Sequence, residues 1–121
     1  MEYSIKFHKA LNALKPNVEY TYHNETPMTE ELFNQMNWVI GVNETQTAKT
    51  TKDNPHSELT WEKVSAEMER IQAEFDAQDY ARDRSEAYPP IQAQLDYIYH
   101  NSITKWKSDM IKPVKDAHPK P

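Results

Sequence analysis

Helical and strand-like patterns of apolar residues alternate over the first 45 residues of the chain. Behind Ser4, a candidate N-cap, apolar residues at spacings of three and four predict a helix that ends at Pro16. Strict alternation of apolar and polar residues then predicts a strand over 18–22. A second short helix is predicted over 29–36 and a second strand over 38–42. We therefore expect a small helix and strand unit over residues 1–45.

The next segment is nearly without large apolar side chains. Residues 43–57 are instead rich in Thr, Asn and Lys. A stretch of this length between patterned segments is usually functional or disordered, and no cluster of reactive residues argues for function here. The sequence therefore predicts a mobile linker, placed at residues 46–59.

The strongest pattern begins at Thr60, a candidate N-cap, and predicts one long helix that reaches residue 86. Apolar residues follow Thr60 in alternating steps of three and four, and we call them the heptad stripe: Trp61, Val64, Met68, Ile71 and Phe75. Two interpretations remain open for this stripe. The helix packs on its own domain, or the stripe is a coiled-coil contact between two or three copies of the chain.

Pro89 and Pro90 end that helix and begin a C-terminal helical module, because proline suits the first turn of a helix. The first helix of the module carries an apolar stripe of Ile91, Leu95 and Ile98, with Tyr99 beside it. Ser102 is the candidate N-cap of a last helix, in which Pro113 should produce a kink or an end. Its inward-facing residues are predicted to be Ile103, Trp106, Met110 and Val114. Residues 60–121 are thus predicted to form a long helix and a helical hairpin, in a predominantly helical α+β fold.

The composition of the chain excludes several classes of function. Fourteen Lys and Arg against nineteen Asp and Glu give a net charge of −5, which does not favour phosphate backbones or anionic lipids. The single glycine, Gly41, rules out glycine-rich phosphate and dinucleotide loops, and the lack of cysteine rules out thiolate chemistry. The longest apolar run, 38–42, is far shorter than the roughly 20 residues of a membrane helix. We expect a soluble protein without nucleic-acid or membrane partners.

Few residues are spaced for catalysis or metal binding. Asp96 and His100 lie four residues apart on one helix face, but two ligands are fewer than the three or four that zinc requires. Asp79 and Asp83 alternate with arginines, which is typical of a solvated, ion-paired helix face. His8, three residues before Leu11 on the first predicted helix, is interpreted as a boundary residue between the apolar and the polar side of that helix. The sequence predicts no catalytic residue, no metal, no cofactor and no small-molecule substrate.

Two stretches show a specific spacing of aromatic, proline and acidic residues. Residues 71–88 form the first stretch, and the second begins with the motif Tyr88-Pro89-x-Ile91-x-x-Gln94-Leu95-Asp96 and closes with His118-Pro119-Lys120-Pro121. Together they resemble small proteins of tailed bacteriophages, notably those of marine and cyanobacterial hosts. Residues 10–20 are similar to the usual opening of the same proteins. The resemblance implies a protein from the tail or tail-fiber gene neighbourhood.

The resemblance also implies a function in binding and none in catalysis. The implied protein is a virion component or a fiber assembly factor, found in the virion tail or in the host cytoplasm during assembly, and its partner is a phage tail or fiber protein. An alternative hypothesis is a small phage regulator that binds a host enzyme or polymerase during infection. The acidic net charge permits that alternative.

Aromatic, methionine and aliphatic residues of the long helix and of the final helices are the predicted partner-binding residues. When such a side chain becomes ordered in an interface, it buries a large surface area. They are Trp61, Met68, Ile71, Phe75, Tyr88, Tyr99 and Trp106. The heptad stripe from Trp61 to Phe75 is in addition a candidate for self-association.

Overall fold

The structure is a computed structural model that describes all 121 residues. Its elements in chain order are α1 (Tyr3–Leu14), β1 (Tyr20–Thr21), α2 (Glu30–Phe33), β2 (Asn37–Val42), β3 (Ala48–Thr51), α3 (Trp61–Ala77), α4 (Asp79–Ala87), α5 (Ile91–His100), α6 (Ile103–Trp106), a π-helical turn (Lys107–Ile111) and α7 (Lys112–Ala117). Helices account for 55% of the residues, so the predicted α+β, predominantly helical fold class is confirmed. The chain divides into two compact units, Met1–Ala73 and Glu74–Pro121, which we call the N-terminal unit and the C-terminal unit.

Three antiparallel strands form the sheet of the N-terminal unit, in the order β1, β2, β3. Residues 48–51 fall within the predicted linker but form β3, so the expectation of an unstructured segment was wrong at these residues. Threonine is β-branched and suits a strand, and the side-chain oxygen of Asn43 closes the preceding turn by accepting hydrogen bonds from the amides of Thr45 and Thr47, at 3.0 and 2.9 Å. The β2–β3 register shifts between Val39 and Gly41, and Gly41 has φ of +149°, a value that favours glycine.

One apolar core lies in the N-terminal unit. Its buried residues come from α1, α2, β2, α3 and the adjoining segments: Phe7, Ala10, Leu11, Phe33, Met36, Trp38, Leu59, Val64 and Met68. The predicted N-caps Thr29 and Thr60 cap α2 and α3, because their hydroxyl oxygens accept hydrogen bonds from the amides of Leu32 and Lys63, at 3.2 and 3.3 Å. The core is therefore built by the first 68 residues of the chain.

The predicted single helix over 61–86 is interrupted at Gln78, so that prediction was wrong in its extent. Gln78 has φ of −98° and ψ of 5°, and its amide donates to the carbonyl of Phe75, three residues back, at 3.2 Å. The guanidinium of Arg82 donates to the same carbonyl at 2.7 Å. This carbonyl therefore has two donors outside the α-helical pattern, which accounts for the separation of α3 from α4.

Within the C-terminal unit, α5 begins directly after Pro89 and Pro90 and α6 begins directly after Ser102, as predicted. The Ser102 side chain accepts a hydrogen bond from the amide of Lys105 at 3.2 Å, and a π-helical turn precedes Pro113. Proline has no amide hydrogen for the carbonyl four residues back, and the amide of Lys112 instead donates to the carbonyl of Lys107, five residues back. Ile103, predicted to face inward, is the first residue of α6 and is 57% exposed.

Candidate binding surface

Three large apolar side chains of α5 are exposed on one side of the helix. Ile91, Leu95 and Tyr99 follow one another at intervals of four residues, and they are 67%, 60% and 85% exposed. We call these three residues the α5 stripe. Ile103, at the start of α6, is a further exposed aliphatic residue close in sequence. Apolar side chains that line up in this way on a surface are typical of sites that bind another macromolecule.

A buried polar side chain supports α5 from within the C-terminal unit. Gln94 is 9% exposed, and its side-chain nitrogen donates to the carbonyl of Pro89 at 2.7 Å. Its side-chain oxygen accepts a hydrogen bond from the indole nitrogen of Trp106 at 3.2 Å. The side-chain amide of Gln94 thus connects the start of α5 with the end of α6. The indole N–H of Trp106, which is the only hydrogen-bond donor of that ring, is engaged in this contact.

A second hydrogen bond joins α5 to the π-helical turn. The Tyr97 hydroxyl donates to the carboxylate of Asp109, and this bond raises the pKa of Tyr97 above its usual value. The same bond, together with a bond from Ser108, lowers the pKa of Asp109. Asp109 therefore remains ionised and engaged at neutral pH, and its charge is directed toward Tyr97.

A cavity of about 340 Å³ lies on the C-terminal segment of the same unit. We call it the Trp106 groove, and its lining residues are Trp106, Lys107, Ile111, Lys112, Lys115 and Asp116. Lys112 pairs with Asp116 at 2.5 Å. Arg84 of α4 donates to the backbone carbonyls of His118 and Lys115 at 2.8 and 3.4 Å, and these bonds hold α7 against α4.

The structure does not bring the seven predicted partner-binding residues onto one surface. Met68 is buried in the N-terminal core, and Trp61 and Ile71 pack against that core. The other four residues belong to the C-terminal unit, where only Tyr99 is exposed while Phe75, Tyr88 and Trp106 are partly buried. Large apolar side chains serve cores and interfaces equally well, so residue type alone did not separate the two uses.

The burial of the heptad stripe agrees with the interpretation that its helix packs on its own domain, and not with a coiled-coil contact between copies of the chain. Val64 and Met68 are 0% and 6% exposed within their own chain. The ring of Trp61 lies with its centroid 5.8 Å from that of Phe33. The stripe from Trp61 to Ile71 thus packs on its own domain.

Ile91 and Leu95 are binding candidates that the sequence did not predict as partner-binding residues. Their spacing was recognised as a helical stripe, but a stripe is ordinarily the side that packs inward. No apolar residue of the C-terminal unit is buried, whereas the polar Gln94 is. The feature of the sequence that accompanies this exposed stripe is Gln94, a glutamine between the aliphatic residues Ile91 and Leu95. That Gln94 faces inward is visible only in the structure.

A polar cluster in the N-terminal unit gives His8 a defined place. One ring nitrogen of His8 forms a hydrogen bond with the hydroxyl of Tyr20, and the other with the hydroxyl of Tyr22 at 3.2 Å. Burial and, to a lesser degree, the neighbouring Tyr22 raise the pKa of Tyr20 to about 12. Tyr20 therefore stays protonated at neutral pH, and the cluster has neither a basic phenolate nor a free imidazole nitrogen. The cluster joins α1, which carries His8, to β1 and the residue that follows it, Tyr22.

No group of three or more His, Asp or Glu side chains lies close enough together to hold a metal ion. Asp96 and His100 form the local pair that their spacing suggested, at 3.4 Å and largely exposed. None of the helices combines the length and apolar character that crossing a lipid bilayer requires. Comparisons of the chain with protein-family models, with curated proteins and with solved structures found no match.

Proposed function

We propose that the protein acts by binding another polypeptide through the α5 stripe. The observation that supports the proposal is the inverted arrangement of the C-terminal unit, in which Gln94 is buried while Ile91, Leu95 and Tyr99 are exposed. Burial of apolar surface stabilises a complex by roughly 25 cal/mol per Å² before the costs of association are subtracted. An amphipathic helix with anchors four residues apart suits an apolar groove on a partner.

The resemblance to phage tail-associated proteins supplies the proposed partner. We propose that the partner is a phage tail or tail-fiber protein, and that the chain is a virion component or a fiber assembly factor. Its location is then the virion tail, or the host cytoplasm during assembly. This assignment depends on the motif at residues 88–96, which includes two residues of the α5 stripe.

The test is capture of partners from phage-infected cells with the full chain as bait, followed by mass spectrometry. The variants are Leu95→Glu in the stripe and Val42→Glu, a matched control at an aliphatic residue of the N-terminal unit that is 64% exposed. We expect the parent chain and Val42→Glu to recover the same tail or fiber protein, and Leu95→Glu to recover at least about tenfold less of it.

Three results would contradict the proposal. The first is recovery of host metabolic enzymes alone. The second is recovery of a host polymerase by a chain that is missing from purified particles, which would support the regulator hypothesis instead. The third is equal recovery of the tail protein by Leu95→Glu and by the parent chain, which would remove the α5 stripe from the interface.

A further inference from the structure

We infer that the Trp106 groove binds an acidic peptide segment that carries a large apolar side chain at its centre. The inference deepens the proposed function, on which it rests for the partner being a polypeptide. Two kinds of side chain line the groove. Trp106 and Ile111 are apolar and partly buried, while Lys107, Lys112 and Lys115 are exposed.

The charge of the groove specifies an acidic occupant. Lys112 is paired with Asp116, but the ammonium groups of Lys107 and Lys115 have neither a carboxylate nor a hydrogen-bond partner in the structure. Residues 105–121 contain five lysines and two aspartates, a net charge of +3, so the remaining 104 residues carry −8. A basic site on an acidic chain attracts carboxylates locally while the whole molecule repels most anions.

The apolar lining favours a peptide over a nucleic acid. The indole nitrogen of Trp106 is held by Gln94, so the ring is fixed in a partly buried position and is not an exposed platform for a base. A volume of about 340 Å³ is near the lower limit for a ligand pocket and suits one large side chain. Carboxylates on both sides of that side chain would reach Lys107 and Lys115.

The probe is a short labelled peptide with one phenylalanine at its centre and two glutamates on each side. We expect saturable binding to the full chain that shifts the NMR signal of the Trp106 indole N–H and the amides of Lys107 and Lys115. The double variant Lys107→Glu with Lys115→Glu should weaken binding by at least about tenfold. The matched control is Lys9→Glu with Lys49→Glu, which changes the net charge equally at two exposed lysines of the N-terminal unit.

Further probes separate the peptide from other occupants. The same peptide with lysines in place of its glutamates, or with serine in place of phenylalanine, should not bind. The inference is overturned if the acidic peptide gives no saturable shift, or if short oligothymidine or vesicles containing phosphatidylserine bind the groove in its place. Sedimentation is the remaining check, since a dimer that the double variant dissociates would make a second copy the occupant.

Leu95→Glu distinguishes this inference from the proposed function. Peptide binding in the groove should be unchanged by that substitution, because Leu95 does not line the groove. If the peptide shifts the amides of the α5 stripe and not those around Trp106, the groove inference fails while the proposed function stands. If the groove binds the peptide but Leu95→Glu captures the tail protein normally, the proposed use of the stripe fails and the groove remains.

Discussion

The indole nitrogen of Trp106 donates to the side-chain oxygen of Gln94 at 3.2 Å, and Gln94 is the one buried residue of the C-terminal unit. Different interactions thus stabilise the two compact units. Apolar burial holds the N-terminal unit together, and hydrogen bonds among Pro89, Gln94 and Trp106 hold α5 to α6. Buried polar groups with all partners present fix a single arrangement, and they become costly when one partner is removed.

Gln94→Leu should destabilise the C-terminal unit by about 1 to 3 kcal/mol, because it leaves the Pro89 carbonyl and the Trp106 indole without their partner. Exchange of the Trp106 indole hydrogen, measured by NMR, should accelerate accordingly. Gln92→Leu is the matched control on the exposed side of α5. Equal exchange rates in both variants would show that the indole hydrogen bond contributes little.

Ser102 combines an N-cap with a backbone φ of +140°, which L side chains rarely adopt. Ser102→Ala should destabilise by about 1 to 2 kcal/mol, because it removes the cap and keeps the strain. Ser102→Gly should be close to neutral, because glycine relieves the backbone and loses only a few tenths of a kcal/mol as a cap. Urea unfolding of the two variants provides the measurement, and an alanine variant as stable as the glycine variant would argue against strain at this position.

Truncation should lower the stability of the protein at Met68 and leave it nearly unchanged at Leu95. Met68→Ala removes a side chain that is 6% exposed and should lower the free energy of unfolding by about 2 to 5 kcal/mol. Leu95→Ala, at a side chain that is 60% exposed, should stay within about 0.5 kcal/mol of the parent. Urea unfolding measures these changes in stability. Sedimentation of a Met68→Lys variant then tests whether the heptad stripe is core or an interface between chains. A variant that dissociates from an oligomer and stays folded would place the stripe between chains.

His56 should make the N-terminal unit sensitive to acid. Its ring packs edge-on against Trp38 with centroids 5.5 Å apart, and its Nε2 atom is buried without a hydrogen-bond partner. Burial and the charge of Lys15 lower the pKa of His56 below its usual 6.5, while Glu58 opposes the shift. A lowered pKa in the folded state means that the contribution to stability is present above pH 6.5 and is lost as the pH falls toward the folded-state pKa.

His56→Phe retains the ring contact with Trp38 and removes the titrating group. We expect this variant to be more stable than the parent by about 1 kcal/mol at pH 7, since a buried polar atom without a partner is removed. Its advantage should grow as the pH is lowered from 7 to 5, which thermal unfolding in the two buffers measures. A constant difference between the two proteins over this range would contradict the assignment.

Local signals in the sequence predicted the starts of α2, α3, α5 and α6 and two of the three strands, β1 and β2. The start of α1 was missed, because the helix begins at Tyr3 and the expected N-cap, Ser4, lies inside it. Thr29, Thr60 and Ser102 all cap the helices that they were expected to cap, because a cap depends on residues three positions away. The interruption at Gln78 was missed, since it involves the guanidinium of Arg82, which binds the Phe75 carbonyl. Strand β3 was missed because its four residues, Ala48–Thr51, carry no alternation of large apolar and polar side chains. The exposed apolar side chains were predicted least well, because a helical stripe does not reveal which side of its helix is covered.

The π-helical turn lets the last segment tolerate one particular change in its length. It places one more residue between Lys107 and Lys112 than an α-helical hydrogen bond would span. Deleting one residue within the turn would therefore allow an α-helical hydrogen bond to close it, and α7 would keep its direction. Arg84 would then still face the carbonyls of Lys115 and His118. A deletion in a regular α-helical part of the chain would instead rotate all later residues by about 100° around the helix axis. Homologous chains should therefore tolerate a one-residue gap at this turn better than a gap elsewhere in the last helices.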